Sequence, residues 1–161
     1  MDYLIREMNR GEYALLRDFL YEAIYIPKGV EPPPRSVVSL PELQEYIADF
    51  GTRKHDHALI AEVQGRIVGA VWGRIMNDYG HINDATPSLA MSVYQEYRGH
   101  GIGTALLKEL LSTLMAQGYP KVSLSVQKAN YAVNMYLAAG FHIVGENEEE
   151  YIMVADLLGE R

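Results

Sequence analysis

Residues 96–111 read EYRGHGIGTALLKELL, and the stretch changes character in its middle. It opens with Arg98 and with Gly99, Gly101 and Gly103 at alternate positions, then becomes a leucine-rich helical run. Glycine loses more backbone freedom on ordering than any other residue, so three of them weaken the start of a helix. They are useful where the backbone itself must meet a ligand. N–H groups at the start of a helix lack intrahelical partners and sit at the positive end of its dipole. Glycine leaves room for an anion to approach them. The apolar strand SLAMSVY, Ser88–Tyr94, runs into this turn. Strand, glycine turn and helix N-terminus together describe an anion site, around which the rest of the chain has to be placed.

That remainder alternates between strand and helix periods. Tyr3–Met8 reads as a strand. Asn9 and Glu12 form a capping box for a helix with Leu15, Leu16, Phe19, Leu20, Ala23 and Ile24 at helical spacing. Tyr25–Val38 has no period, holds Pro32-Pro33-Pro34, and reads as an extended connection. Ser39 and Glu42 make a second capping box before Leu43, Tyr46, Ile47 and Phe50, with Gly51 as the stop. His57–Val63 and Arg66–Met76 are strands joined by a hairpin at Gln64-Gly65, and Asn77–Gly80 is a turn. The helix after the glycines ends near Gly118, and Lys121–Val126 is a strand. Asn130 caps a short helix with Val133, Tyr136 and Leu137 on one face, ended by Gly140. Phe141–Glu146 and Glu150–Leu157 are the last strands. This order predicts an α/β protein, one mixed sheet carrying helices, as a single domain over residues 1–161.

Composition narrows the chemistry. There is no cysteine, which removes disulfides, thiolate metal sites and a cysteine nucleophile; no metal is expected. The charged start MDYLIREMNRGEY is no signal peptide, and no apolar run approaches the ~20 residues of a membrane span. A cytoplasmic protein without a membrane partner is therefore expected. A net charge of −7 argues against nucleic acid as a partner. The charge is uneven: Ser88–Asn130 carries a net +2 and the rest −9. The basic segment suits an anion, and the acidic body suits a cation.

Three ligands suit a glycine turn of this kind: a P-loop nucleotide, a dinucleotide, or the pyrophosphate of coenzyme A. G-x-x-x-x-G-K-[ST] is absent, with no lysine after Gly103. G-x-G-x-x-G/A requires glycine or alanine where Thr104 or Leu106 stands, and Gln127 replaces the acidic residue expected after the next strand. The third ligand fits. Arg98-Gly99-His100-Gly101-Ile102-Gly103 matches [RQ]-x-x-G-x-[GA] at every specified position. Asn130-Tyr131-Ala132-Val133-Asn134-Met135-Tyr136, followed by Gly140-Phe141, is similar to N-P-A-V-x-L-Y-x-x-x-G-F. Two such motifs in this order resemble the GNAT superfamily, the general-control-type N-acetyltransferases. The resemblance covers His57 to Val144; before Ala58 it lies only in the order of strand and helices.

The resemblance implies a GNAT-like acyl-CoA N-acyltransferase fold, with a mostly antiparallel twisted sheet splayed between its fourth and fifth strands and helices on both faces. It implies acetyl-CoA as cosubstrate. The pyrophosphate would meet the backbone of Gly99, His100, Gly101, Ile102, Gly103 and Thr104, with Arg98 adding charge. Pantetheine would lie along Met91, Ser92 and Val93, one of whose N–H groups would hold the thioester carbonyl. Asn130 would contact the cofactor's amide arm, and Tyr136 would assist the leaving thiolate. Ordinary pKa values of about 10 for tyrosine and 8.5 for a thiol make full proton transfer uphill by ~2 kcal/mol. A strong hydrogen bond therefore serves as well.

The base is less defined. Deprotonating a primary amine of pKa about 10.4 at pH 7 costs ~4.6 kcal/mol, and an α-amine only ~1.4. Some relatives place a glutamate on the fifth strand, where this chain has Ser125. His81, Asp84, Glu22 and a water chain are other candidates, and the sequence names no base. Tyr21, Tyr25 and Tyr46 are expected to line the acceptor site. The reading is an N-acetyltransferase that moves acetyl to a primary amine, of a small molecule or of a protein, by direct attack. The alternative is a non-catalytic acyl-CoA-binding sensor. A homodimer is compatible with either.

Overall fold

A computed structural model describes residues 1–158, so the last three residues of the expected 1–161 domain lie outside the described residues. The chain begins with β1 (Leu4–Glu7), a 3-10 turn (Arg10–Leu15) and α1 (Leu16–Ala23). The Asn9 N–H donates to Glu12 Oε1 at 2.8 Å, so the expected box opens this turn. The second expected box does not form. Helix α2 (Pro41–Gln44) has Leu40 at its N-cap, and Ser39 Oγ accepts a bond from Arg17 instead. Pro41 explains the shift: its fixed φ and missing N–H suit the first helical position. Beyond α2 the chain continues as turns to residue 51.

Next come β2 (His57–Val63), β3 (Arg66–Arg74), β4 (Ser88–Val93), α3 (Ile102–Ala116), β5 (Lys121–Gln127), α4 (Ala132–Ala138), β6 (His142–Glu146) and β7 (Glu150–Asp156). One seven-stranded sheet results, in the order β1-β2-β3-β4-β5-β7-β6. β4 and β5 run parallel, and every other neighbouring pair is antiparallel.

Strand alternation builds two cores, one on each face. Leu59, Val71, Leu89, Leu124 and Met153 face Leu106, Leu107, Leu110 and Leu114 of α3, with Tyr136 of α4. Ala58, Ile60, Ala70 and Trp72 face Leu16, Phe19 and Leu20 of α1, with Val38 and Phe50. The helices thus cover both faces. Leu137 corrects the expected α4 face: it is exposed, and Val133, Met135 and Tyr136 pack instead.

Two features position the site. The register between β4 and β5 has a single pair, Ser88 with Ser123, so the strands meet at one end and part at the other. The segment after α2 is pinned from below. Arg74, fully buried, forms a two-pronged pair with Asp56, both contacts at 2.9 Å. The third arm of its guanidinium donates to the carbonyls of Glu45 (3.1 Å) and Ala48 (2.9 Å). Trp72 Nε1 donates to the carbonyl of Tyr46 at 3.1 Å. This network fixes the backbone on either side of Tyr46.

Candidate active site

The gap between β4 and β5 opens a cavity of about 1330 Å³. One end reaches the glycine turn; the other lies under α1, α2 and the proline-rich connection. Every residue expected to hold the cofactor or assist the thiolate lines this cavity except His100, which is exposed to solvent.

Gly101 stands at the N-cap of α3 with φ +83°, and Gly99 has φ +82°. Both are left-handed conformations that side chains rarely adopt. The first amide bonded back into the helix is Ala105, to Gly101 O at 3.0 Å. The N–H groups of Ile102, Gly103 and Thr104 therefore point out of the helix end with no partner in the preceding turn. Gly103 has no positive φ, and a Cβ there would meet Met135, Met91 and Val93 at ordinary distances, 3.7 to 3.9 Å. Its lack of a side chain matters for space in the cavity, not for backbone conformation.

Arg98 is tied to its surroundings. Its Nε donates to the Val93 carbonyl at 2.8 Å, and Nη2 lies 3.3 Å from Glu22. The guanidinium thus braces the turn against β4, with part of its charge balanced by α1.

The three β4 positions divide by backbone direction. The Tyr94 N–H bonds to Val68 O on β3 at 2.9 Å, and the Ser123 N–H bonds to Pro87 O at 2.9 Å. Amides alternate along a strand, so Ser92 faces β3 while Met91 and Val93 face the gap. The Ser92 hydroxyl is also occupied, donating to Phe19 O at 2.7 Å. Met91 therefore presents its N–H and carbonyl to a guest in the splay, and Val93 its N–H, since the Val93 carbonyl is taken by Arg98. Asn130 caps the turn before α4, its Oδ1 accepting from Ala132 N–H at 2.9 Å, which leaves its amide NH₂ free to donate.

Tyr136 approaches from the α3–α4 face. Its ring meets Phe141 edge-on at 5.6 Å. Burial pushes its hydroxyl up to about 12, so the phenol stays protonated at neutral pH.

The opposite, α1–α2 face of the cavity sets polar groups among apolar side chains such as Leu20, Ile24 and Leu43. Tyr21, Tyr25 and Tyr46 all line it, as expected. The Tyr21 hydroxyl donates to Pro33 O at 2.6 Å, which holds the proline run over the opening. The Tyr46 hydroxyl donates to Asp78 at 3.3 Å. Burial, reinforced by the Asp78 charge, raises the Tyr46 phenol well above its ordinary range. Asp78 accepts from Ser88 Oγ at 3.0 Å, and Ser88 Oγ lies 3.3 Å from Ser123 Oγ. Burial also raises the Asp78 carboxyl. This chain of hydroxyls closes the vertex where the strands part.

Of the base candidates, His81 and Asp84 lie outside the cavity lining; His81 Nδ1 is 2.8 Å from Met76 O. Glu22 lines the cavity but is paired with Arg98. Ser125 lines it and supplies no carboxylate. One lining carboxylate was missed in the sequence: Glu150, the first residue of β7. Burial first, and the neighbouring Glu149 charge second, raise its pKa. The local signal was only the acidic run beside it; the pairing of Glu150 with Gln127 of β5 was needed to place it.

Known proteins bear on this geometry. An acetyltransferase of Sodalis glossinidius is 38% identical over 82 residues, 50% of this chain and 54% of its own length. One of Pectobacterium atrosepticum is 38% identical over 78 residues, 48% of this chain and 51% of its own. The match spans about half the length of these curated relatives. Among solved structures, the fold resembles the PaiA N-acetyltransferase of Thermoplasma acidophilum in complex with coenzyme A, at TM-score 0.70 and 20% identity, covering 97% of this chain and 99% of that one. A GNAT-family acetyltransferase of Streptococcus pneumoniae gives TM-score 0.69 and 22% identity, over 96% of this chain and 99% of that one. The sequence model of the acetyltransferase (GNAT) family matches residues 20–141, which span the splayed strands, the glycine turn and α4. The chain belongs to the acetyltransferase (GNAT) family.

Proposed function

We propose that this protein transfers the acetyl group of acetyl-CoA to a cationic primary amine by direct attack of the amine on the thioester. The observation that carries the reading is the splay: β4 and β5 share one pair, and a continuous cavity joins the helix N-terminus at Gly101 to the pocket under α1 and α2. The amides of residues 102–104 suit a pyrophosphate. The gap-facing backbone at Met91 and Val93 suits an extended pantetheine arm, the carbonyl of a thioester included. The related structure that holds coenzyme A supports that occupant. Asn130 lines the cavity with an amide NH₂ to donate to the arm. Tyr136 reaches the gap from the α3–α4 side, where it can hydrogen-bond the departing sulfur. The acceptor enters from the other face. The chain's net charge of −7 and the Glu150 carboxylate of that pocket favour a cation. No cysteine is present to carry an acyl group, which supports direct transfer.

Thermal melting with acetyl-CoA or NAD, followed by a turnover screen over small amines and N-terminal peptides read by free-thiol release, tests the reading. Acetyl-CoA at 100 times its Kd adds ~2.7 kcal/mol, about 5–10 °C for a chain of this size. Stabilisation by NAD alone would refute the ligand. Binding of acetyl-CoA without turnover of any amine would leave a coenzyme A sensor.

A further inference from the structure

We infer that Glu150, at the start of β7, seats the acceptor's ammonium group and takes its proton. The inference rests on the acyl-transfer reading above. Direct attack needs a proton acceptor on the amine side of the thioester and a hydrogen-bond donor on the sulfur side. The sheet keeps these apart. Tyr136 belongs to the core of the α3–α4 face. Ser125 pairs with Ile152 and Gln127 with Glu150. Their neighbours Val126, Met153 and Tyr151 pack on the α3–α4 side, so alternation turns Ser125, Gln127 and Glu150 toward α1 and α2.

Two carboxylates line the cavity, Glu22 and Glu150. Glu22 sits at the glycine-turn end and is paired with Arg98. Glu150 forms no ion pair among the described residues. The nearby cation Lys128 is engaged, bound to Glu146 at 2.5 Å and lying over the Tyr151 ring at 5.3 Å. From α2's side Glu150 faces the Tyr46 phenol, itself bonded to Asp78; from its own segment it faces Glu149. Across the β5–β7 pair the Gln127 side chain hydrogen-bonds the carboxylate, so its neighbours are neutral or negative and none brings a cation.

The step balances. The Glu150 carboxylate takes one proton from R–NH₃⁺. The freed nitrogen lone pair forms the N–C bond to the acetyl carbon as the C–S bond breaks. A second nitrogen proton ends on sulfur, giving amide and free thiol, and Glu150 then returns its proton to solvent. Burial raises a carboxyl and lowers an ammonium, which brings the exchanging pair closer together.

The test compares wild type, Glu150→Gln and Glu150→Asp in acetyl-CoA binding, followed by melting, and in kcat/KM for the best amine across pH. Glu150→Gln should keep its stabilisation by acetyl-CoA and lose ~10²–10⁴ in kcat/KM, the usual range for a lost base. The shape of the profile separates base from scaffold. Wild type should be level between the pKa of Glu150 and that of the amine. The glutamine variant accepts only neutral amine, so its kcat/KM should rise tenfold per pH unit up to the amine's own pKa. Glu150→Asp should restore the level profile with a lower plateau. A glutamine variant with wild-type kcat/KM and a level profile would overturn the inference and leave acyl transfer standing. Wild type that binds acetyl-CoA and acetylates no amine would overturn both.

Discussion

Replacing Tyr136 with phenylalanine removes one hydroxyl and keeps the ring against Phe141, 5.6 Å away. Burial holds that hydroxyl at about 12, and a leaving thiol has an ordinary pKa of about 8.5. Complete transfer from the phenol to a thiol at its ordinary value is then uphill by about 3.5 units, or ~5 kcal/mol; the same burial raises the thiol and narrows the gap, yet leaves the phenol the weaker acid. The structure therefore favours a hydrogen bond to the departing sulfur over a transferred proton. A hydrogen bond to a charged group contributes ~1.5–3 kcal/mol, so kcat for Tyr136→Phe should fall about 10–150-fold. KM for acetyl-CoA should move little, because the bond strengthens only as charge develops on sulfur. Steady-state turnover, read by thiol release and paired with a melting curve, is the assay. An acyl donor with a more acidic thiol should narrow the gap between variant and wild type. Unchanged kcat would show that Tyr136 is only a packing residue. A loss well beyond 10³-fold would show that the proton is fully transferred, and the argument from burial would fail.

Gly101→Val places a side chain at φ +83° in otherwise open space, so folding should lose about 1–2 kcal/mol while coenzyme A affinity, measured by calorimetry, falls by a larger factor. Equal loss of both would mean the glycine only forms a turn. Asp56→Ala strips the fully buried Arg74 of its partner and should cost ~3–5 kcal/mol, roughly 6–20 °C in Tm for this length. Burial alone would raise the Asp56 carboxyl, but Arg74 and the Gly51 and Arg53 amides outweigh it and hold it below its ordinary value. With the folded pKa lowered, this stabilisation is present above the unfolded value of about 3.9 and disappears as pH falls through the lower folded one. The Tm gap between wild type and variant should therefore persist at pH 5 and close only in stronger acid; a gap that closes near neutrality would refute the pairing.

What the sequence alone determined is what depends on near neighbours along the chain. The glycine turn and α3 were legible because unpaired amides and left-handed glycines are local properties, and Gly99 and Gly101 take that conformation. The strands read from period-two alternation lie close to their expected bounds, and the two spaced motifs identified the family that the chain belongs to. Local rules failed where two of them competed: Pro41 displaced Ser39 at the helix start, and Leu137 shared a helical face in sequence but not in packing. Tertiary structure alone decided the rest. The register of β3 on β4 turned Ser92 away from the gap and left Met91 and Val93 facing it. Folding of α1 onto β4 joined Glu22 to Arg98, 76 residues apart, and so removed one candidate base. The pairing of β5 with β7 set Glu150 opposite Gln127 and gave the acceptor pocket a carboxylate. Such contacts depend on how separate strands align, and a shift of one residue in that register would turn each of these side chains to the other face.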